Sequence, residues 1–143
     1  MKANRAFYGL LSFLTLISGM AIYLLFRDLN NMIIFSWIPK PEYFEKVLVP
    51  LKPSILSDIL RYNLPDMLWF VSAILFLRFV WFYKNYIQKI YISVFYGVGL
   101  VLEFSQLSEK VTGTFDLLDL FFMGIGAFVE GLLYKYLTQR RIV

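Results

Sequence analysis

The sequence predicts an all-α membrane protein, a bundle of about four transmembrane helices with a short amphipathic surface helix in the first external loop. Three observations lead there. The 143 residues are 59% hydrophobic and 20% aromatic, with a mean hydropathy of +0.66, more apolar surface than a soluble domain of this size hides. Four apolar runs are each long enough to cross a hydrocarbon core of about 30 Å at about 1.5 Å per residue. Charges gather at the ends of those runs. In lipid only helices or a closed barrel satisfy every backbone group, and long unbroken apolar runs mean helices.

The first run, 6–26, carries no charge and is bounded by Lys2 and Arg5 before it and Arg27 and Asp28 after it. A signal peptide shares that pattern, but its apolar core is usually about 7–15 residues and a small-x-small cleavage site follows. A retained span is therefore expected. The second span covers about 64–83, with Pro65 in its first turn and Asn63 as its cap. The third covers about 90–107 and the fourth about 115–137. These two contain glycines and acidic residues, so each needs a protein neighbour on one face.

The segment 27–63 is too long for a simple turn and reads as an external cap. Within it, Pro53 to Tyr62 repeats apolar pairs, Ile55 and Leu56 and then Ile59 and Leu60. That spacing predicts a short helix on the membrane surface, with Asp58 and Arg61 on its wet face. A solvated loop with one helical turn is the alternative. No internal repeat, low-complexity tract or second domain interrupts residues 1–143.

Orientation follows from the density of basic residues. Lys2, Arg5, Lys84, Lys89, Lys135, Arg140 and Arg141 fall in short segments on one side, with no acidic residue among them. On the other side Arg27, Lys40, Lys46, Lys52, Arg61 and Lys110 are diluted by Asp28, Glu42, Glu45, Asp58 and Glu109. The dense side, with both termini, is expected to be cytoplasmic. The net charge of +4 is accounted for by this topology signal, and nucleic acid is not an expected partner.

Cys and His are absent, which removes disulfides, thiolate nucleophiles and the usual zinc ligands. Any chemistry would rest on Asp, Glu, Lys, Arg, Tyr or Ser. The polar groups that stand out lie near the outer ends of the last three spans. Glu103 and Gln106 are one turn apart on the third span, and Asp116 and Asp119 one turn apart on the fourth. The short link 108–114 makes these helices antiparallel neighbours, so the four groups share a depth. Asp66 opens the second span at that level, with Arg61 just before it.

Two readings stay open. In one, Asp116 and Asp119 cap the fourth helix and favour its dipole, while Arg61 or Lys110 neutralises the excess charge. In the other, Asp66, Glu103, Asp116 and Asp119 converge, with Gln106 and Arg61, on a wet cavity that binds a ligand. No cofactor is evident; an all-oxygen set of this kind would suit magnesium, calcium or manganese over zinc.

Further along the fourth span, Asp116, Asp119, Met123, Gly126 and Glu130 form one stripe that must face the bundle interior. Gly124, Ala127 and Gly131 form an adjacent small-residue face for helix packing, against this chain or a partner. Arg78 and Glu130 sit about 20 Å past the outer ends of their helices, so a structural ion pair is expected between them. Arg78 snorkelling alone to the surface is the alternative. The aromatics Phe35, Trp37, Tyr43, Trp69, Trp81, Tyr83, Tyr86 and Tyr91 cluster near span ends and read as interfacial belts.

The stretches Leu102-Glu103-Phe104-Ser105-Gln106 and Gly113-Thr114-Phe115-Asp116-Leu117-Leu118-Asp119, with Gly126, resemble the VanZ-like family. Asn63-Leu64-Pro65-Asp66-Met67-Leu68-Trp69 agrees more weakly. The family pattern carries over to Glu103, Gln106, Asp116, Asp119 and Gly126. Where the family usually has an Arg before the Asp pair, this chain offers Lys110, and where it usually has an Asn, Met123. The resemblance implies a bacterial envelope protein, and the family's founding member is associated with resistance to glycopeptide antibiotics of the teicoplanin type. Partners expected on this basis are the lipid bilayer and an envelope lipid or cell-wall intermediate. An accessory subunit docked on another membrane protein and a minimal cation transporter are the competing functions. Four short helices without an inverted repeat make the transporter the weakest of the three.

Overall fold

The computed structural model describes residues 5–26, 54–108 and 115–139. It contains four helices long and apolar enough to cross a membrane: α1 (Arg5–Phe26), α2 (Ile55–Val80), α3 (Asn85–Ser105) and α4 (Leu117–Gln139). No strand occurs among the described residues. The chain is an all-α, multi-pass membrane bundle. Arg5, Val80 and Asn85 lie at one end, here the near end; Phe26, Ile55, Ser105 and Leu117 lie at the other, the far end.

The hub is α2. In its most apolar stretch 39% of residues are buried, against 11% in each of the other three helices. On α2, Phe70, Val71, Ile74 and Leu75 are buried, and Val71 and Leu75 join Tyr8 of α1 and Leu137 of α4 in a core cluster. The outward residues of the other helices, such as Phe13, Val101 and Phe128, are large, apolar and exposed. That inversion is stable only where lipid replaces water.

The antiparallel α1–α2 pair is held by close approach and by a reciprocal serine contact. Ser12 Oγ donates to Ser72 O at 2.9 Å, and Ser72 Oγ donates to Ser12 O at 2.8 Å. Each hydroxyl has one hydrogen, so the 3.2 Å approach of the two oxygens is a contact that both carbonyl bonds permit. Both serines are buried, and each lets the backbones come together. Toward the far end Gly19 serves the same purpose: a Cβ there would lie 2.7 Å from Trp69 Cδ1 and 3.1 Å from the Pro65 carbonyl oxygen. Tyr23 packs on the same indole, ring centroids 5.1 Å apart. This packing face of α1 escaped the sequence reading, which placed its small-residue face on the fourth span.

The second span differs most from expectation. The stretch from Pro53 to Tyr62 is expected as a separate surface helix, but its described part, from Ile55 on, is continuous with the second span. The helix starts at Ser54, whose hydroxyl accepts from Ser57 N–H at 3.1 Å while Ser54 N–H donates to Ser57 Oγ at 3.0 Å, a reciprocal capping box. Ile59–Asn63 then form a π-helical turn, closed by the Leu64 N–H donating to Ile59 O. The proline explains it. Pro65 has no N–H to give the carbonyl four residues back, and its ring would clash there in a regular helix. A wider turn immediately upstream relieves both problems and keeps the helix unbroken. Pro65 does fall in the first turn of the α-helical part, Leu64–Val80.

Other boundaries move by a few residues. The second span ends at Val80, not 83, and the third begins at Asn85, five residues before Ile90, running Lys89 into its exposed edge. Phe35, Trp37, Tyr43 and Lys110 lie outside the described residues.

Gly124 and Gly131 differ from Gly19: a Cβ at either meets nothing. Gly19→Leu should therefore lower stability by about 2 kcal/mol or more through overpacking, and Gly131→Leu should change it by no more than about 0.5 kcal/mol. Unfolding by sodium dodecyl sulfate titration in mixed micelles reads both; equal losses would contradict this packing.

Candidate functional site

Two polar assemblies cross the bundle, one near each end. At the near end Arg78 of α2 is buried, as are Glu130 of α4 and Gln88 of α3. Arg78 Nε donates to Glu130 Oε1, and Nη2 donates to Glu130 Oε2 at 2.9 Å. This fork-on-carboxylate geometry is the strongest an arginine makes. Nη1 donates to Gln88 Oε1 at 3.1 Å, and Gln88 Nε2 returns a bond to the Arg78 carbonyl at 3.4 Å. The Tyr134 ring lies 3.7 Å from the guanidinium carbon, a cation–π contact made strong by desolvation. Arg78 thus joins three helices instead of snorkelling alone.

Gln88 and Tyr134 were missed in the sequence, yet both carried a signal. Residues 81–84 form a tight link, with Lys84 N–H donating to Trp81 O at 2.9 Å. That folds the first turn of α3 back on the last turn of α2. Tyr134 follows Glu130 by one helical turn, on the same face.

At the far end the N-terminus of α4 gathers side chains from two other helices. Asp116 Oδ1 accepts from Leu118 N–H at 2.8 Å, which is a helix cap. Asp116 N–H in turn donates to Glu103 Oε1 of α3 at 3.0 Å. Glu103 is buried, and its negative charge lies where the α4 dipole is positive. Asp119 Oδ1 accepts from Asn63 Nδ2 of α2 at 2.7 Å.

Asn63 is buried and makes no capping bond, contrary to its expected role. The helix already runs through it from Ser54, with Asn63 in helical backbone geometry, so no orphan N–H groups are left there to cap and its amide reaches α4.

The remaining expected members are placed less centrally. Asp66 lies half-buried in the first turn of the α-helical part of α2. Gln106 is the C-cap of α3, its N–H donating to Glu103 O at 3.2 Å. Arg61 lies within the π-turn, its guanidinium carbon 5.9 Å from the Tyr62 ring. Its Nε is shielded from solvent and has no hydrogen-bond partner among the described residues.

Among those residues no three Asp or Glu side chains are grouped so as to hold a metal ion. Glu103 and Asp116 are engaged by backbone N–H groups and Asp119 by an amide. The convergence of four carboxylates expected from depth alone is replaced by a chain of hydrogen bonds across three helices.

The acidic stripe on α4 has its interior partners in place. Beyond Asp119 and Glu130, a Cβ on Gly126 would lie 2.9 Å from Val71 Cγ2, and Met123 Cε sits 2.5 Å from the Cβ position of Gly99. No family model, characterised protein or solved structure matches this chain.

What the arrangement offers chemically is a rim of oxygen acceptors and one unengaged arginine nitrogen at a membrane edge.

Removing one partner of the near-end pair strands a charge in lipid. Arg78→Ala and Glu130→Ala should each destabilise by about 3 kcal/mol, and the double mutant by about 1–3 kcal/mol less than their sum. Micellar unfolding measures all three, and strict additivity would refute the pair. Asp116→Ala should cost about 1 kcal/mol, whereas Asp116→Asn, still a good cap, should cost little; the same titration separates them.

Proposed function

We propose that this chain is a VanZ-like protein of the bacterial inner membrane, with both termini cytoplasmic, whose far-end polar assembly binds the head of an envelope lipid or cell-wall intermediate. The observation that carries this reading is the meeting of three helices at that end, through Asn63–Asp119 and Glu103–Asp116, beside a buried Arg61 Nε without a partner among the described residues. A buried unsatisfied donor costs free energy unless a ligand completes it, and an arginine at a helix turn suits a phosphate or carboxylate. The acceptor groups beside it suit the hydroxyls and amides of a sugar or peptide head. The basic near end supports the orientation. Family likeness at Glu103, Gln106, Asp116, Asp119 and Gly126 supports the envelope setting and a role in glycopeptide resistance.

The second reading is an accessory subunit. It is favoured by one observation, the open face at Gly124 and Gly131, where another protein's helix would pack closely. Stoichiometric co-purification of a partner, lost with Gly131→Leu, would replace the first reading with this one.

The deciding experiment compares wild type with the Asp116→Asn/Asp119→Asn double mutant in a deletion strain. Asn preserves the cap, and its carbonyl still accepts from Asn63, so the change removes charge and spares the fold. Susceptibility to glycopeptides and other envelope-targeting antibiotics should rise to the deletion level at equal protein abundance. Wild-type susceptibility in the mutant would reduce the far-end acids to helix caps.

A further inference from the structure

A groove of about 500 Å³ runs along the lipid-facing side of the α1–α2 pair. Ala6, Gly9, Phe13 and Leu16 of α1 and Phe76 and Phe79 of α2 line it. Ser12 also borders it, but that hydroxyl is engaged by Ser72, so the lining presents almost no free polar group. Glycine at position 9 supplies no side chain to fill it, and the Phe79 ring lies 3.1 Å from where a Cβ would stand.

From Ala6 to Leu16 the groove follows eleven residues of helix, a rise of about 15 Å. That is about half of a 30 Å hydrocarbon core, the depth of a single leaflet. Arg5 stands at its mouth, one residue before Ala6, and is exposed. Its Nε donates to the Phe79 carbonyl at 3.0 Å, and its guanidinium carbon lies 4.7 Å from the centroid of the Phe79 ring. Phe79 belongs to the last turn of α2, where carbonyls lack helical partners, so the arginine is fixed by a group that needs a donor. Two contacts hold the guanidinium, and its two terminal nitrogens keep four N–H donors in a planar fork.

We propose that the α1–α2 groove with Arg5 is a binding site for one phospholipid with a net negative head group, in the leaflet that contains Arg5. One acyl chain lies in the groove, and its phosphate meets the outer edge of the Arg5 fork. The charge balance of this end selects an anionic head over a zwitterionic one. Among the described residues the near end carries Arg5, Lys84, Lys89 and Lys135 against a single carboxylate, Glu130, which Arg78 already engages. A partner helix would meet the same apolar lining, but it has no use for a fixed phosphate-binding fork at the mouth. This site lies at the opposite end of the bundle from the far-end assembly and stands or falls separately from it.

The test is native mass spectrometry of the purified protein, equilibrated in mild detergent with equimolar phosphatidylglycerol and phosphatidylcholine. Wild type should retain one phosphatidylglycerol per chain, with a preference of at least about fivefold, the share of one basic group at the membrane surface. Arg5→Gln should cut that preference by about fivefold. Ala6→Phe, which fills the mouth and leaves Arg5 in place, should reduce phosphatidylglycerol retention by at least about fivefold, while Gly131→Phe on α4, outside the groove lining, should not. The Ala6→Phe arm needs no change at Arg5, so it decides the matter even where Arg5→Gln fails to fold. Equal retention of the two lipids by wild type, or undiminished phosphatidylglycerol on Ala6→Phe, overturns the site. So does a dimer that Ala6→Phe dissociates while lipid retention stays unchanged, because the groove then holds a second copy.

Discussion

The guanidinium of Arg78 is a permanent charge largely withdrawn from solvent, and the helices are arranged so that it is never alone. A carboxylate from α4, an amide from α3 and an aromatic face from α4 surround it. Each comes from an element that would otherwise be free to slide or rotate in lipid. Helix association in a membrane has little hydrophobic drive of its own, so a charge that tolerates only one arrangement supplies specificity that apolar packing lacks. The near end of the bundle is built outward from this residue.

α3 shows how far that logic extends. Its buried residues are Gln88 and Glu103, one near each end, and the large apolar residues between them largely face outward. The helix is held at two polar points, by Arg78 at one end and by the N-terminus of α4 at the other, and between them Phe70 of α2 packs on Phe95 and Tyr96. α1 is held differently, by backbone proximity at Ser12 and Gly19 along its length. One bundle thus uses both means available in lipid: close small-residue approach together with the Ser12–Ser72 hydrogen bonds along α1, and side-chain hydrogen bonds at the two ends of α3. The far-end assembly follows from the second: the groups that fasten α3 and α4 are also those presented at the membrane edge.

Much of this was legible in the chain. Charges inside apolar runs are rare enough that Arg78 and Glu130 stood out, and equal depth on helices of the same direction made them partners. Spacing by three and four placed Asp116, Asp119, Gly126 and Glu130 on one face of α4. Ser12, Ser72 and Gly19 were not legible, because a small residue in an apolar run looks the same facing lipid or facing a helix. Asn63, two residues before Pro65, reads as an ordinary helix start, whereas the helix continues upstream through it and its amide bonds Asp119. The four-carboxylate cavity failed for a related reason: depth along a helix fixes height but not azimuth.

Hydrophobicity and rise per residue act along the chain, so the amino-acid order was enough to establish the apolar solvent, four helical crossings and the shared depth of Arg78 and Glu130. Tertiary structure alone decided that α2 is the hub and that the segment before Pro65 continues the span. It also decided that Glu103 caps a neighbouring helix and that Gly124 and Gly131 face away from their own bundle. These outcomes depend on rotation about helix axes and on which helix lies beside which. In lipid, where every outward apolar face is equally acceptable, a few polar contacts and close approaches settle both.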